Sequence, residues 1–279
     1  MLTYTIHAAL SRLQAGTTKV EFIHKPYTSW PYPRDTPHFT TTSESPTATS
    51  SPPFRIAILD SSFNPPTLAH RALALLPAAA SSSEARFLLL SVRNADKIPR
   101  TGDASPEQRV EMMVRLAREV DAAVGLIDAP AFVHKAKWLR TALPTQAQLA
   151  FVQGIDTLER FFASRYYGDG SPETMHAAQR RFFASDGDDA RVICARRSIK
   201  LAGSQEESTA LVAAQGWVQA GRITVVDIDK ELQTFSSSEV RAKVRVKDDS
   251  WRLMVPKDIE EYIEEQSLYL DSGLSHIPS

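Results

Sequence analysis

Residues 54–70 read Phe-Arg-Ile-Ala-Ile-Leu-Asp-Ser-Ser-Phe-Asn-Pro-Pro-Thr-Leu-Ala-His, and this stretch decides the fold. Phe54 to Leu59 is apolar on both faces, as a central strand must be in a parallel sheet covered by helices on either side. The chain then turns, and Pro65 and Pro66 remove two backbone donors while holding it extended. Leu68, Ala72, Leu75 and Leu76 predict an amphipathic helix ending near Pro77. Strand, polar turn and helix open a doubly wound sheet, whose ligands bind just beyond the carboxyl ends of the strands. Thr67, His70 and Arg71 fall opposite Leu68, Ala72 and Leu75. A polar face at a helix start, directly after a buried strand, suits an anion.

Working outward, the same alternation recurs. Apolar runs predict strands at 86–92, 122–127, 148–154, 190–195 and 223–228. Ser105-Pro106-Glu107-Gln108 is a helix start with a Ser cap, Pro at the first helical position and Gln in the capping-box place; that helix should run to about 120. Further helices are expected near 208–220, 237–246 and 256–266. Together these predict an α/β fold, a Rossmann-like doubly wound parallel sheet, as a single domain over 54–279 behind an N-terminal extension over 1–53. Within the extension, Leu2, Ile6, Leu10 and Leu13 share one face of a short helix. Thr36 to Pro53 holds 14 Ser, Thr or Pro in 18 residues, too little apolar surface to offset ordering, and is expected to be a linker or surface loop.

Composition excludes several classes. The chain of 279 residues carries a formal charge of -1, with 43% hydrophobic and 23% charged residues. That is globular and near neutral, unlike a disordered tail protein or a bulk phosphate-backbone binder. The single cysteine, Cys194, excludes an internal disulfide and a Cys-based zinc cluster and suits a reducing compartment. Cytoplasm or nucleus is therefore expected, and the opening residues carry too little arginine for a mitochondrial presequence. No apolar run approaches the roughly 20 residues that span a bilayer. Glycine is scarce at 11 residues, and neither G-x-x-x-x-G-K-[ST] nor G-x-G-x-x-G occurs, so any phosphate must be held without a glycine-rich cradle.

The run S-F-N-P-P-T-x-x-H, Ser62 to His70, resembles the signature of the nicotinamide or nicotinate mononucleotide adenylyltransferases, in the nucleotidyltransferase superfamily marked by (H/T)-x-G-H. The resemblance implies an ATP site built from Ser61, Ser62, Phe63, Thr67 and His70, with Thr67 on a phosphate and His70 on the triphosphate. Two positions depart from it: Ser61 replaces the family glycine, and Ala69 stands where many members have glycine. Phe235-Ser236-Ser237-Ser238-Glu239-Val240-Arg241 resembles the second motif, I-S-S-T-x-x-R. That likeness implies that Ser236 and Ser237 donate to triphosphate oxygens and that Arg241 stabilises the leaving pyrophosphate. Gly154 and Asp156 resemble the family's Gly-x-Asp at the adenosine ribose, continued by Leu158-Glu159. Lys97 matches a lysine that approaches the mononucleotide phosphate, Arg109 a basic residue on the next helix, and Arg196-Arg197 a strand-then-Arg element. Residues 255–269 resemble the closing helix, a structural part.

For the pyridine ring the resemblance implies aromatic platforms, usually Trp. None stands at the expected places; Phe132, Tyr166 and Tyr167 are the nearest candidates, and Trp138 is more distant. The implied chemistry is adenylyl transfer from ATP to nicotinamide or nicotinate mononucleotide, with His70, Arg241 and Lys97 as the catalytic residues. Magnesium would arrive mainly on the substrate phosphates, without a protein metal site. The implied partners are ATP and a mononucleotide, not nucleic acid or a membrane, and a homo-oligomer is left open. Two other readings share the ATP site. One is a divergent member that binds or hydrolyses ATP in a regulatory or quality-control role. The other is a transferase for a different phosphorylated acceptor.

Overall fold

A computed structural model describes residues 2–32, 34, 54–76, 84–92, 102–129, 132–196 and 205–270. Among them seven strands form one sheet in the order β1-β4-β3-β2-β5-β6-β7. The strands are β1 (Val20–His24), β2 (Arg55–Asp60), β3 (Glu84–Ser91), β4 (Ala122–Ile127), β5 (Gln148–Gly154), β6 (Ala190–Arg196) and β7 (Ile223–Asp227). β2 to β7 are mutually parallel, and β1 alone runs antiparallel, against β4. The six parallel strands stand where the apolar runs predict them.

Side chains alternate across each strand, so both faces of the sheet are buried. In β2, Ala57 and Leu59 join the core under α1 (Leu2–Gln14), α2 (Leu68–Ala74) and α3 (Pro106–Val120). Ile56 and Ile58 join the opposite core, under α4 (Phe132–Ala142), α5 (Ile155–Phe161), α6 (Pro172–Phe183) and α7 (Gln205–Gln219). A third cluster holds α8 (Ser237–Arg245) and α9 (Lys257–Glu265) against Met112 of α3. From β2 the chain winds through β3 to β4, then crosses back to pair β5 on the other side of β2. The carboxyl ends of β2 and β5 therefore flank the topological switch point, where open parallel sheets place their ligands.

Three points correct the sequence-based expectation. Residues 20–24 fall within the expected extension, yet they add a strand to the sheet. β1 is short and half-buried at every position, so it lacks the doubly apolar signature of the central strands. Gly125 makes room for it: a Cβ there would lie 2.4 Å from the Phe87 ring and 3.1 Å from the Glu21 carbonyl oxygen. Lys19 completes the join through a 2.8 Å ion pair to the fully buried Asp128 carboxylate. On α1, Ile6, Leu10 and Leu13 are buried as the spacing predicts. The second correction concerns α2, whose apolar phase is turned: Ala74 is buried while Leu75 is exposed, and Leu73 and Leu76 pack on the core. The helix is anchored through its cap, Thr67, so Thr67 and Ala74 face inward. Third, α4, α5 and α6 lie where the sequence reading expects no helix, although Ser171-Pro172-Glu173 opens α6 with the Ser-Pro-Glu start of α3, Ser171 capping Thr174 N–H. The linker expected over 36–53 lies outside the described residues.

Candidate active site

Beyond β2 the chain enters the Ser61–Thr67 turn. Phe63 lies at φ +44° with its ring fully buried. A bulky residue in left-handed conformation costs about 1–3 kcal/mol and persists where surrounding packing holds it, commonly at functional sites. Its ring packs 5.3 Å from the His70 ring. Phe63 therefore backs His70 from the core, and its side chain is not a ligand-facing group.

His70 is held from both ring nitrogens. The Thr67 backbone N–H donates to Nδ1 at 3.1 Å, with Thr67 Oγ1 2.9 Å away. A backbone N–H can only donate, so Nδ1 is the acceptor and the neutral ring carries its proton on Nε2. That nitrogen lies 2.9 Å from Ser61 Oγ, and the Nε2–H donates to it. Thr67 also accepts from the His70 N–H, which closes a reciprocal capping box. The Thr67 side chain is completely buried. This corrects the expectation that it meets a phosphate: its hydroxyl is spent on orienting His70. α2, which this cap opens, runs for seven residues.

The second motif docks on the first across 172 residues of sequence. Ser237 Oγ donates to the Pro65 carbonyl at 2.7 Å, and Arg241 Nη1 donates to the Asn64 carbonyl at 2.6 Å. Tyr269, buried just past α9, donates its hydroxyl to Asn64 Oδ1 at 2.9 Å; its burial pushes the phenol pKa upward. The Asn64-Pro65 turn is thus gripped at three atoms by the C-terminal layer. Arg241 is further paired with Asp103 at 3.1 Å, and Arg245 approaches the same carboxylate at 3.9 Å. Ser237, expected to donate to phosphate, spends its hydrogen on Pro65. Ser236 caps α8 by accepting from Glu239 N–H.

Gly154 ends β5 and Asp156 lies in the first turn of α5. Space is open around Gly154, where an added Cβ meets nothing within 4 Å. Asp156 is exposed. Ser62 is half-buried at the same edge. Arg109 turns inward instead, its Nε on the Ala104 carbonyl at 3.0 Å; burial, the largest effect, lowers its pKa. Arg196 pairs with Asp227. Lys97 and Arg197 lie outside the described residues.

The ring platforms change most. Tyr167 is buried and donates to the Phe161 carbonyl at 2.6 Å, and burial raises its pKa, so it is a core residue. Phe132 packs within an aromatic cluster, 4.8 Å from Phe151 and 6.0 Å from Phe161 and Phe182. Tyr166 is half-buried with the Arg165 guanidinium 4.8 Å from its ring centroid. Trp138 has the Lys137 ammonium 5.6 Å over its ring.

Sequence pattern missed a polar group on the α4 side of the switch point. Asp60, the last residue of β2, is ion-paired with Lys135 of α4, both side chains less than a tenth exposed. Gln153, beside Asp60 where the register of β2 and β5 continues past Leu59↔Val152, is 2% exposed. The available signal was a polar residue closing each of the two doubly buried strands. Among the described residues no group of three or more His, Cys, Asp or Glu is assembled for a metal. No helix among them is long and apolar enough to cross a membrane.

The fold is Rossmann-like, and solved mononucleotide adenylyltransferases share it. A Plasmodium falciparum nicotinic acid mononucleotide adenylyltransferase complexed with NaAD superposes with a TM-score of 0.52 at 15% identity, covering 77% of this chain and 97% of that one. The same enzyme complexed with APC gives 0.51 at 14% identity, covering 77% and 96%. In sequence the chain is 30% identical over 147 residues to a Schizosaccharomyces pombe protein named "Putative nicotinamide mononucleotide adenylyltransferase". That match spans 52% of this chain and about half the relative, 54%. No family model matches the chain. The likeness to mononucleotide adenylyltransferases is thus shared by a fungal relative, over about half of each chain, and by the fold.

Proposed function

We propose that the protein transfers the adenylyl group of ATP to the 5′-phosphate of a pyridine mononucleotide. One observation carries the reading: Ser237 and Arg241 are bonded to the Pro65 and Asn64 carbonyls beside His70, at the carboxyl end of β2. Two segments far apart in sequence make one polar edge where a doubly wound sheet holds its ligand. In the reaction a phosphate oxygen of the acceptor attacks the α-phosphorus of ATP in line. A new P–O bond forms, the bond to the β-phosphate oxygen breaks, and pyrophosphate leaves. No protein nucleophile is required, since positioning and charge stabilisation supply the rate.

His70, with its proton fixed on Nε2, donates to a triphosphate oxygen, and the Ser236 hydroxyl is a second donor. Arg241 places positive charge beside the leaving pyrophosphate while fixing the Asn64-Pro65 turn. Gly154 leaves space for the nucleoside, and Asp156 is placed to accept from its ribose. Lys97 and Arg197 are proposed for the acceptor phosphate. Magnesium belongs to the substrate, carried on the triphosphate, where it lowers phosphate charge. Asp60 and Asp103 are neutralised by Lys135 and Arg241, so neither suits a metal, and no protein-held ion enters the steps above.

The test is turnover with ATP, magnesium and either nicotinamide or nicotinate mononucleotide, comparing the native chain with His70→Ala. Dinucleotide and matching pyrophosphate, with a loss of about a hundredfold or more in the variant, support the reading. ADP and phosphate without dinucleotide sink it in favour of an ATP hydrolase.

A further inference from the structure

Gln153 is almost wholly buried, at 2% exposure, yet neither its amide nitrogen nor its amide oxygen has a hydrogen-bond partner among the described residues. Buried side-chain amides are normally paired, because stripping such a group of water without compensation is costly. Its position says what can complete it. Phe151 faces the α4 side and Val152 the α2 side, so alternation turns Gln153 toward α4. It is the last residue of β5 before Gly154, at the strand end that borders the switch point. Across the switch point, the register Ile58↔Phe151 and Leu59↔Val152 continues to Asp60 and Gln153 side by side. Asp60 is in turn neutralised by Lys135.

The two halves of the switch point thus differ in chemistry. On the α2 and α8 side stand His70, Ser236 and Arg241, suited to phosphate. On the α4 side stand an amide with its N–H donors and its carbonyl acceptor both to offer and an ion pair of zero net charge. A mononucleotide whose phosphate meets ATP at the strand ends extends its ring to the second side. Among the described residues no aromatic sandwich is assembled there: Tyr167 is in the core and Phe132 packs on Phe151.

Resting on the proposed adenylyl transfer, we infer that Gln153 selects the acceptor by its ring substituent, pairing with a neutral carboxamide and disfavouring a carboxylate. A carboxamide offers an N–H to the glutamine oxygen and a carbonyl to its N–H. A carboxylate can satisfy only the second contact. Its other oxygen faces the glutamine carbonyl and the Asp60 carboxylate, and Lys135 is already paired.

The test measures binding of nicotinamide and nicotinate mononucleotide by calorimetry, and kcat/KM with ATP, for the native chain, Gln153→Leu and Gln153→Glu. The native chain should favour nicotinamide mononucleotide by about tenfold or more in Kd, the range set by leaving a buried polar group mispaired. Gln153→Leu should bring the two ligands within about threefold. Gln153→Glu, nearly isosteric, should widen the preference further, and it keeps the test open should the leucine variant fold poorly. Equal native affinity, or binding of neither mononucleotide, overturns the inference. So does an unchanged ratio in well-folded variants, or a change confined to the KM for ATP, which would assign Gln153 to adenine. The expected binding ratios without dinucleotide formation would sustain Gln153's role while sinking the transferase reading.

Discussion

Removing one hydroxyl should sharpen the protein's grip on ATP. Ser61 Oγ lies 2.9 Å from His70 Nε2, and the Thr67 N–H on Nδ1 leaves Nε2 as the ring's only donor. To donate to a triphosphate, His70 must release Ser61. A hydrogen bond of this kind contributes a net stabilisation of about 0.5–1.5 kcal/mol, equivalent to roughly 2- to 13-fold in affinity. Ser61→Ala removes the competing acceptor and should lower the KM for ATP by that factor, with kcat unchanged or raised. Alanine is the informative choice, since glycine would also loosen the backbone. Ser61 is half-buried, so thermal unfolding should move by no more than about 0.5 kcal/mol in stability. The assay is pyrophosphate release across a range of ATP concentrations, beside a melt of each protein. A higher KM for ATP in Ser61→Ala would refute the argument, because the hydroxyl would then be serving the nucleotide rather than holding His70 back.

Three further predictions concern the frame around the site. Gly125→Ala should destabilise the fold by about 1–3 kcal/mol through overpacking, since its Cβ would meet Phe87 at 2.4 Å; chemical denaturation reads this directly. Lys135→Met should leave Asp60 buried and unpaired, a loss of about 3–5 kcal/mol, and adding Asp60→Asn should restore much of it, checked by a double-mutant cycle in urea. Acid should loosen the N-terminal α1–β1 unit. The Arg12 guanidinium, bonded twice to Glu21 at 2.8 Å, holds the Glu21 carboxyl below its ordinary pKa. A depressed carboxyl contributes stability that is complete above its unfolded pKa and fades as pH falls through the folded one. Hydrogen exchange of residues 20–24 should therefore quicken as pH drops below about 4.5, after correction for intrinsic rates, and Glu21→Gln should flatten the dependence.

The sheet was legible in the sequence because β2 to β6 are apolar runs bounded by turn residues, a pattern that burial on both faces imposes. β1 was not legible. An edge strand of five half-buried residues has no strong period, and its place depends on Gly125, a partner about a hundred residues away. The site was half legible. Ser62 to His70 and Phe235 to Arg241 stand together as their motifs imply, yet the roles of Thr67, Ser237 and Tyr167 changed once their hydrogen bonds were visible. A hydroxyl in a motif does not say whether its hydrogen points at a ligand or a carbonyl, and burial of Thr67 and Tyr167 settles that only in three dimensions. Asp60 and Gln153 carry no motif signal, and Tyr269 falls in the closing stretch expected to be structural only. They matter through strand register and a closing tail that reaches back across 205 residues to Asn64.

The central claim is that the converged motifs move an adenylyl group. It is met most directly by the fate of label from ATP, supplied with magnesium and nicotinamide mononucleotide. Label at the α-phosphate should appear in dinucleotide and label at the γ-phosphate in pyrophosphate, in equal amounts. Label from the γ-phosphate emerging as inorganic phosphate, with α-label remaining in ADP, would contradict it.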